Sequence, residues 1–158
     1  MITKRRLQRL AICLLLCFGV SSLGGFFTQG SIDPWYTTLN RPLLTPPGWL
    51  FGPVWTLLYA MMAIALWLVW ESPTPKKSPA ITAFGIQLAL NALWSPLFFY
   101  LKNPGLAFIE IILLWISIIA TLYLFKRHSK TAALLLVPYL LWVSFAVYLN
   151  LFFWLLNA

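Results

Sequence analysis

Five stretches of this chain are apolar for long enough to cross a lipid bilayer, and that feature limits the fold more than any other. A hydrocarbon core of about 30 Å needs roughly 20 mostly apolar residues at a helical rise of ~1.5 Å. The runs Leu10–Phe27, Trp49–Trp70, Ala80–Leu101, Leu106–Phe125 and Thr131–Leu156 meet that requirement, with Glu110 the one ionised side chain inside them. The links Glu71–Pro79, Lys102–Gly105 and Lys126–Lys130 are short, so successive spans are expected to be antiparallel neighbours. The expected fold is all-α: a single membrane domain over residues 1–158, built as a five-transmembrane-helix antiparallel bundle.

Charge placement orients such a bundle. Lys4, Arg5, Arg6, Arg9, Lys76, Lys77, Lys126, Arg127 and Lys130 fall on one side, and only Arg41 and Lys102 on the other. The asymmetry predicts a cytoplasmic amino terminus and an external carboxyl terminus, with a bacterial inner membrane as the default location. The net charge of +8 in a chain that is 61% hydrophobic is accounted for by these span ends, so no nucleic-acid partner is expected. The opening KRRLQR, an apolar run and VSSLGG also have the form of a secretory signal. Against that alternative stand the length of the apolar run to Phe27 and the loss of four orienting charges that cleavage would bring.

The connection between the first two spans, residues 28–48, is the one long loop. Pro34, Pro42, Pro46 and Pro47 stiffen it, and Trp35, Tyr36, Leu39, Leu43 and Leu44 call for an apolar cover. It is read as a folded lid over the outer mouth of the bundle. Pro96 and Pro138 lie inside the third and fifth spans and are expected to bend them. His128, in a basic turn, is expected to be solvated and is given no role.

Amides are costly in hydrocarbon unless paired, so Gln87, Asn91 and Asn150 are expected to face the bundle interior. Helical phase places Trp55 with Tyr59 on the second span. It places Gln87, Asn91, Trp94, Ser95 and Phe98 on one stripe of the third, and Trp142, Ala146 and Asn150 on one face of the fifth. Depth along each span brings Trp55, Asn91 and Trp142 toward one aromatic cavity beneath the lid, suited to a flat apolar guest. Trp49, Trp70 and Trp154 lie at span ends, as interfacial anchors do. Glu110 lies one turn into its helix, which favours a structural role. Cys13 and Cys17, four apart, are read as packing residues. The pairs Ser21/Gly25 and Gly85/Ala89 permit close helix approach, within a subunit or between two. No metal site and no cofactor are expected.

These segments resemble the translocator protein family, also known as tryptophan-rich sensory proteins or peripheral-type benzodiazepine receptors. The likeness is carried by WYTTLNRPLLTPPGW and FGPVWTLLYAMM, by QLALNALWSPLFF, and by VPYLLWVSFAVYLN, in the right order over essentially the whole chain. It implies a homodimeric five-helix bundle binding porphyrins, sterol-like lipids and aromatic ligands under the first loop. By motif, the ligand-binding residues it implies are Tyr36, Pro46, Pro47, Trp55, Tyr59, Asn91, Trp94, Trp142 and Ala146. Two departures stand out. Leu44 occupies a place where the family commonly has Trp, which is expected to reshape the roof. Leu151 and Leu155 replace the Tyr and basic residue of a sterol-recognition segment, removing its residue basis for binding a sterol hydroxyl.

The leading expectation is therefore an integral membrane receptor or carrier for porphyrin-like tetrapyrroles and other hydrophobic molecules. One alternative is light-dependent porphyrin breakdown, with Trp55 and Trp142 as redox-active catalytic residues. Another is a membrane assembly subunit without a ligand. A conventional hydrolase or metal enzyme is disfavoured, because the spans offer one carboxylate, no histidine and no nucleophile with a recognisable base.

Overall fold

Backbone amides in a bilayer must be satisfied within the chain, and this sequence does so with helices alone among the described residues. The computed structural model describes residues 3–29 and 35–158. Helix α1 is Lys4–Gln29, α2 is Gly48–Glu71, and α3 is Ser78–Ser95, continued by a π-helical turn over Pro96–Tyr100. Helix α4 is Pro104–Lys126, and the fifth span is split into α5 (Lys130–Leu135) and α6 (Val137–Asn157). All five spans are long and apolar enough to cross a membrane. Each extends beyond its hydrophobic run at one end at least, because polar flanking residues continue the helix to its caps.

Those caps follow from the turn sequences. Asn103 Oδ1 accepts from the Leu106 amide at 2.9 Å, with Pro104 opening α4 where no amide hydrogen is needed. Ser129 Oγ accepts from the Ala132 amide at 3.1 Å and starts α5. At the two prolines expected to bend their spans, the regular α-helix is interrupted in different ways. Lacking an N–H, Pro96 opens a wider turn in which the Leu101 amide donates to the Pro96 carbonyl at 2.9 Å, and Phe98 and Phe99 are both buried there. Pro138 instead accompanies a break at Leu136, which ends α5 and caps α6.

Helix α1 packs on α2 and α3, α4 packs between α3 and the fifth span, and α2 closes the ring mainly through α5. The half of the bundle nearest the basic end holds a buried apolar core. Cys13 and Cys17 are wholly buried free thiols, joined there by Met62, Val69, Ala80, Phe84, Ile118 and Phe125. The Phe84 and Phe125 rings stack at 5.7 Å. At the same end, Glu71 pairs with Arg6 and Arg9 at 2.9 Å each, and the two guanidinium groups lie over Trp67 and Trp70. His128 is not simply solvated: its Nδ1 lies 2.6 Å from Thr74 Oγ1, while Ser72 Oγ donates to its carbonyl. These contacts tie two connecting loops together.

At the opposite end the lid leaves α1, and its described part runs from Trp35 to Pro47; Pro34 lies outside the described residues. Trp35, Tyr36 and Leu39 pack on a second apolar cluster formed by Phe98, Phe99, Ala107, Leu149 and Phe153. Tyr36 meets the rings of Phe99 and Phe153 at 5.6 Å each. A reciprocal amide pair fastens the far end: Asn157 Oδ1 accepts from the Asn40 amide at 2.8 Å, and Asn157 Nδ2 donates to the Asn40 carbonyl at 3.0 Å. The expected cover for Leu43 and Leu44 is not there. They are 83% and 72% exposed, because the chain turns through a left-handed backbone at Leu44 (φ 71°) and aims both outward.

Candidate functional site: a cavity beneath the lid

The tight packing of the basic half does not continue to the lid end, where a cavity of about 720 Å³ is enclosed by the lid and every long helix. Its volume lies within the ~300–1,000 Å³ typical of sites that bury a drug-sized molecule. Helix α1 gives it only small or polar residues, Ser21, Gly24, Gly25, Thr28 and Gln29. Across the space, α2 presents Phe51, Gly52, Trp55, Thr56 and Tyr59, α3 presents Asn91, Trp94 and Ser95, and α6 presents Trp142, Phe145 and Ala146. Ile111 and Leu114 of α4 complete the back wall. Room exists because α1 carries no bulk here: a Cβ added at Gly25, or at Gly52 opposite, would meet no atom within 4 Å.

The aromatic walls are braced. Trp55 lies 5.5 Å from the Tyr59 ring and 6.3 Å from Tyr139, and Phe51 meets Trp142 edge-on at 5.8 Å. Trp94 stacks on Phe98 at 5.0 Å, and its indole N–H donates to Asn150 Oδ1 at 2.9 Å. Asn150 in turn donates to the Pro104 carbonyl at 2.7 Å. Its amide thus fixes a cavity tryptophan without lining the cavity itself. Trp142 and Phe145 also line an apolar groove between α2 and α6 with Leu57 and Leu141, so they form a wall between the cavity and the outer face of the bundle.

The polar floor is a directed chain. The Tyr59 hydroxyl donates to Asn91 Oδ1, Asn91 Nδ2 donates to the Tyr139 hydroxyl at 2.7 Å, and that hydroxyl donates to Gln87 Oε1 at 3.0 Å. Tyr139 is fully buried, and Asn91 is 8% exposed. One lone pair of the Asn91 oxygen is engaged by Tyr59, which leaves the other, the second amide hydrogen and the Tyr59 oxygen lone pairs to meet a guest. Glu110 is buried in α4 with no hydrogen-bond donor for either carboxylate oxygen among the described residues, and it does not line the cavity.

The mouth lies at Gln29, Thr37, Arg41 and Trp49, all exposed. Arg41 is the one charged side chain among the described lining residues, and its guanidinium sits 5.4 Å from the Tyr36 ring centre. Burial raises the Tyr36 hydroxyl above the ordinary tyrosine range, against a smaller lowering effect of Arg41.

Of the residues singled out from sequence, Tyr36, Pro46, Trp55, Tyr59, Asn91, Trp94, Trp142 and Ala146 all line this one space. Pro47 does not; its extended backbone leads into α2. Gln87 and Asn150 are interior as expected, each 1% exposed, but serve as partners to lining residues. Trp49, read as an anchor, stands at the mouth and is 73% exposed. Ser21 and Gly25 face the cavity, whereas Gly85 and Ala89 lie on the exposed side of α3. Sequence reasoning missed Arg41, Phe51, Phe145 and Tyr139. Tyr139 had a signal, since it lies one turn before Trp142, but a turn of the helix does not reveal a hydroxyl partner on another span.

A model of the TspO/MBR family matches residues 12–155. The chain belongs to the TspO/MBR family. It is 45% identical to the tryptophan-rich protein TspO of Archaeoglobus fulgidus over 95% of this chain and 97% of the relative. It is 46% identical to the protein of the same name from Chlorobaculum tepidum, over 92% and 94%. With the human translocator protein it shares 36% identity over 84% of this chain and 80% of the relative. Membership and five spans together make this family member a multi-pass integral membrane protein.

Proposed function

We propose that this protein is a membrane receptor or carrier that binds porphyrin-like tetrapyrroles and related flat hydrophobic molecules in the cavity under the lid. The supporting observation is the convergence of Trp55, Trp94 and Trp142 from three helices on one space that also holds Asn91. Stacking between indoles and apolar burial would supply most of the affinity, and the Asn91 amide hydrogen and Tyr59 oxygen would orient a polar edge. Relatives named translocator protein and tryptophan-rich sensory protein are consistent with a ligand-handling role. The reading further has the basic end in the cytoplasm, the protein in a bacterial inner membrane, and two copies associating as a homodimer.

Titration of the purified protein with protoporphyrin in the dark, followed by quenching of tryptophan fluorescence, tests the reading. Saturable binding weakened about tenfold or more in Trp55→Phe or Trp142→Phe is expected. Saturable binding unaffected in both would place the ligand elsewhere. The same titration under illumination separates a receptor from a porphyrin-degrading enzyme: a new porphyrin product that depends on Trp55 or Trp142 would favour the enzyme.

A further inference from the structure

Arg41 is out of place by the logic of the rest of the chain. Nine of the eleven cations gather at the basic end, where two of them neutralise Glu71. Arg41 stands at the other end, on the rim of a cavity whose lining includes no other charged side chain among the described residues. Among the described residues it makes no ion pair. Its guanidinium is held against the Tyr36 ring, and that ring is clamped between Phe99 and Phe153. Stacking by one face leaves the N–H edge of a guanidinium free, and that edge matches the two oxygens of a carboxylate.

We propose that Arg41 is an anion-recognition residue at the cavity mouth, and that the preferred ligands are flat apolar molecules carrying a carboxylate at one edge. The apolar body would lie among Trp55, Trp94 and Trp142, with the carboxylate at the rim, where it keeps contact with water and pairs with Arg41. Such a ligand enters body first and gives up little hydration of its charge. A neutral molecule of the same shape gains the burial but not the pair. The inference deepens the ligand reading above and rests on the cavity being the binding site.

Two matched pairs test it in neutral detergent: protoporphyrin with its dimethyl ester, and pyrenebutyrate with its methyl ester. A charge-assisted pair at an exposed rim is expected to favour each acid over its ester by about three- to tenfold at low salt, with the preference shrinking as salt rises. Arg41→Gln is expected to abolish the preference by lowering acid affinity more than ester affinity, and Arg41→Lys to retain part of it. Equal affinity of acid and ester in the unmodified protein, or a preference that survives Arg41→Gln, would overturn the proposal and leave the porphyrin reading standing. An Arg41-dependent preference in the pyrene pair without porphyrin binding would uphold the proposal and remove the porphyrin reading. Failure of both pairs to bind would remove both. Phosphatidylglycerol erasing the acid preference in the unmodified protein, with no such effect from a neutral lipid, would assign Arg41 to a lipid phosphate and overturn the proposal.

Discussion

Replacing Asn91 with leucine would test whether the floor of the cavity is a coupled unit. The substitution keeps the volume close to that of the amide but removes the acceptor for Tyr59 and the donor to Tyr139. Tyr59 is 5% exposed and its hydroxyl hydrogen would have no partner; Tyr139 would keep its bond to Gln87 and lose only the one it receives. An orphaned buried group costs about 1–3 kcal/mol. Interhelical hydrogen bonds in membranes average only ~0.6 kcal/mol and reach ~1.7. A loss of about 1–3 kcal/mol is therefore expected, measured by denaturant unfolding in mixed micelles. The sharper quantity is the coupling. In the Asn91→Leu background, Tyr59→Phe removes the orphan, so the double variant should be more stable than the sum of the two losses by about 0.6–1.7 kcal/mol. Additivity within about 0.3–0.5 kcal/mol would mean that the Tyr59–Asn91 bond carries no energy of its own, and would refute the coupled floor.

Three further substitutions probe the space, the Asn40–Asn157 tie of the lid and one close contact. Gly25→Leu should reduce ligand affinity at least tenfold without loss of fold, since a Cβ there meets nothing and leaving glycine favours the helix by about 1 kcal/mol; fluorescence titration beside a melting curve would read both effects. Asn157→Ala removes the reciprocal bonds to Asn40 at an exposed position, so stability should change by no more than about 1 kcal/mol while ligand dissociation quickens in stopped-flow measurements. Gly105→Ala brings a Cβ to 2.9 Å from Trp154 Nε1, and should cost about 1–3 kcal/mol of stability with a shift in tryptophan emission as the indole is displaced.

The spans were legible in the sequence because bilayer thickness imposes a length and hydrocarbon imposes a composition, and both are local properties of the chain. The interior placement of Gln87, Asn91 and Asn150 was legible for the same reason, since lipid offers an amide no partner. Helical phase pointed Trp55, Asn91 and Trp142 toward a shared space, and all three line one cavity. Which polar group met which was decided only in three dimensions. Phase shows the side of a helix a residue occupies, but not that Asn91 would be spent on two tyrosines or that Asn150 would hold Trp94. The lid was read least well. Its prolines announced a stiff cap, yet the direction of Leu43 and Leu44 followed from a single left-handed residue, and the placement of Arg41 from the ring on which it rests. Periodic segments are fixed by their own sequence, whereas an aperiodic loop takes its shape from the surface it lands on, and that surface exists only once the helices have packed.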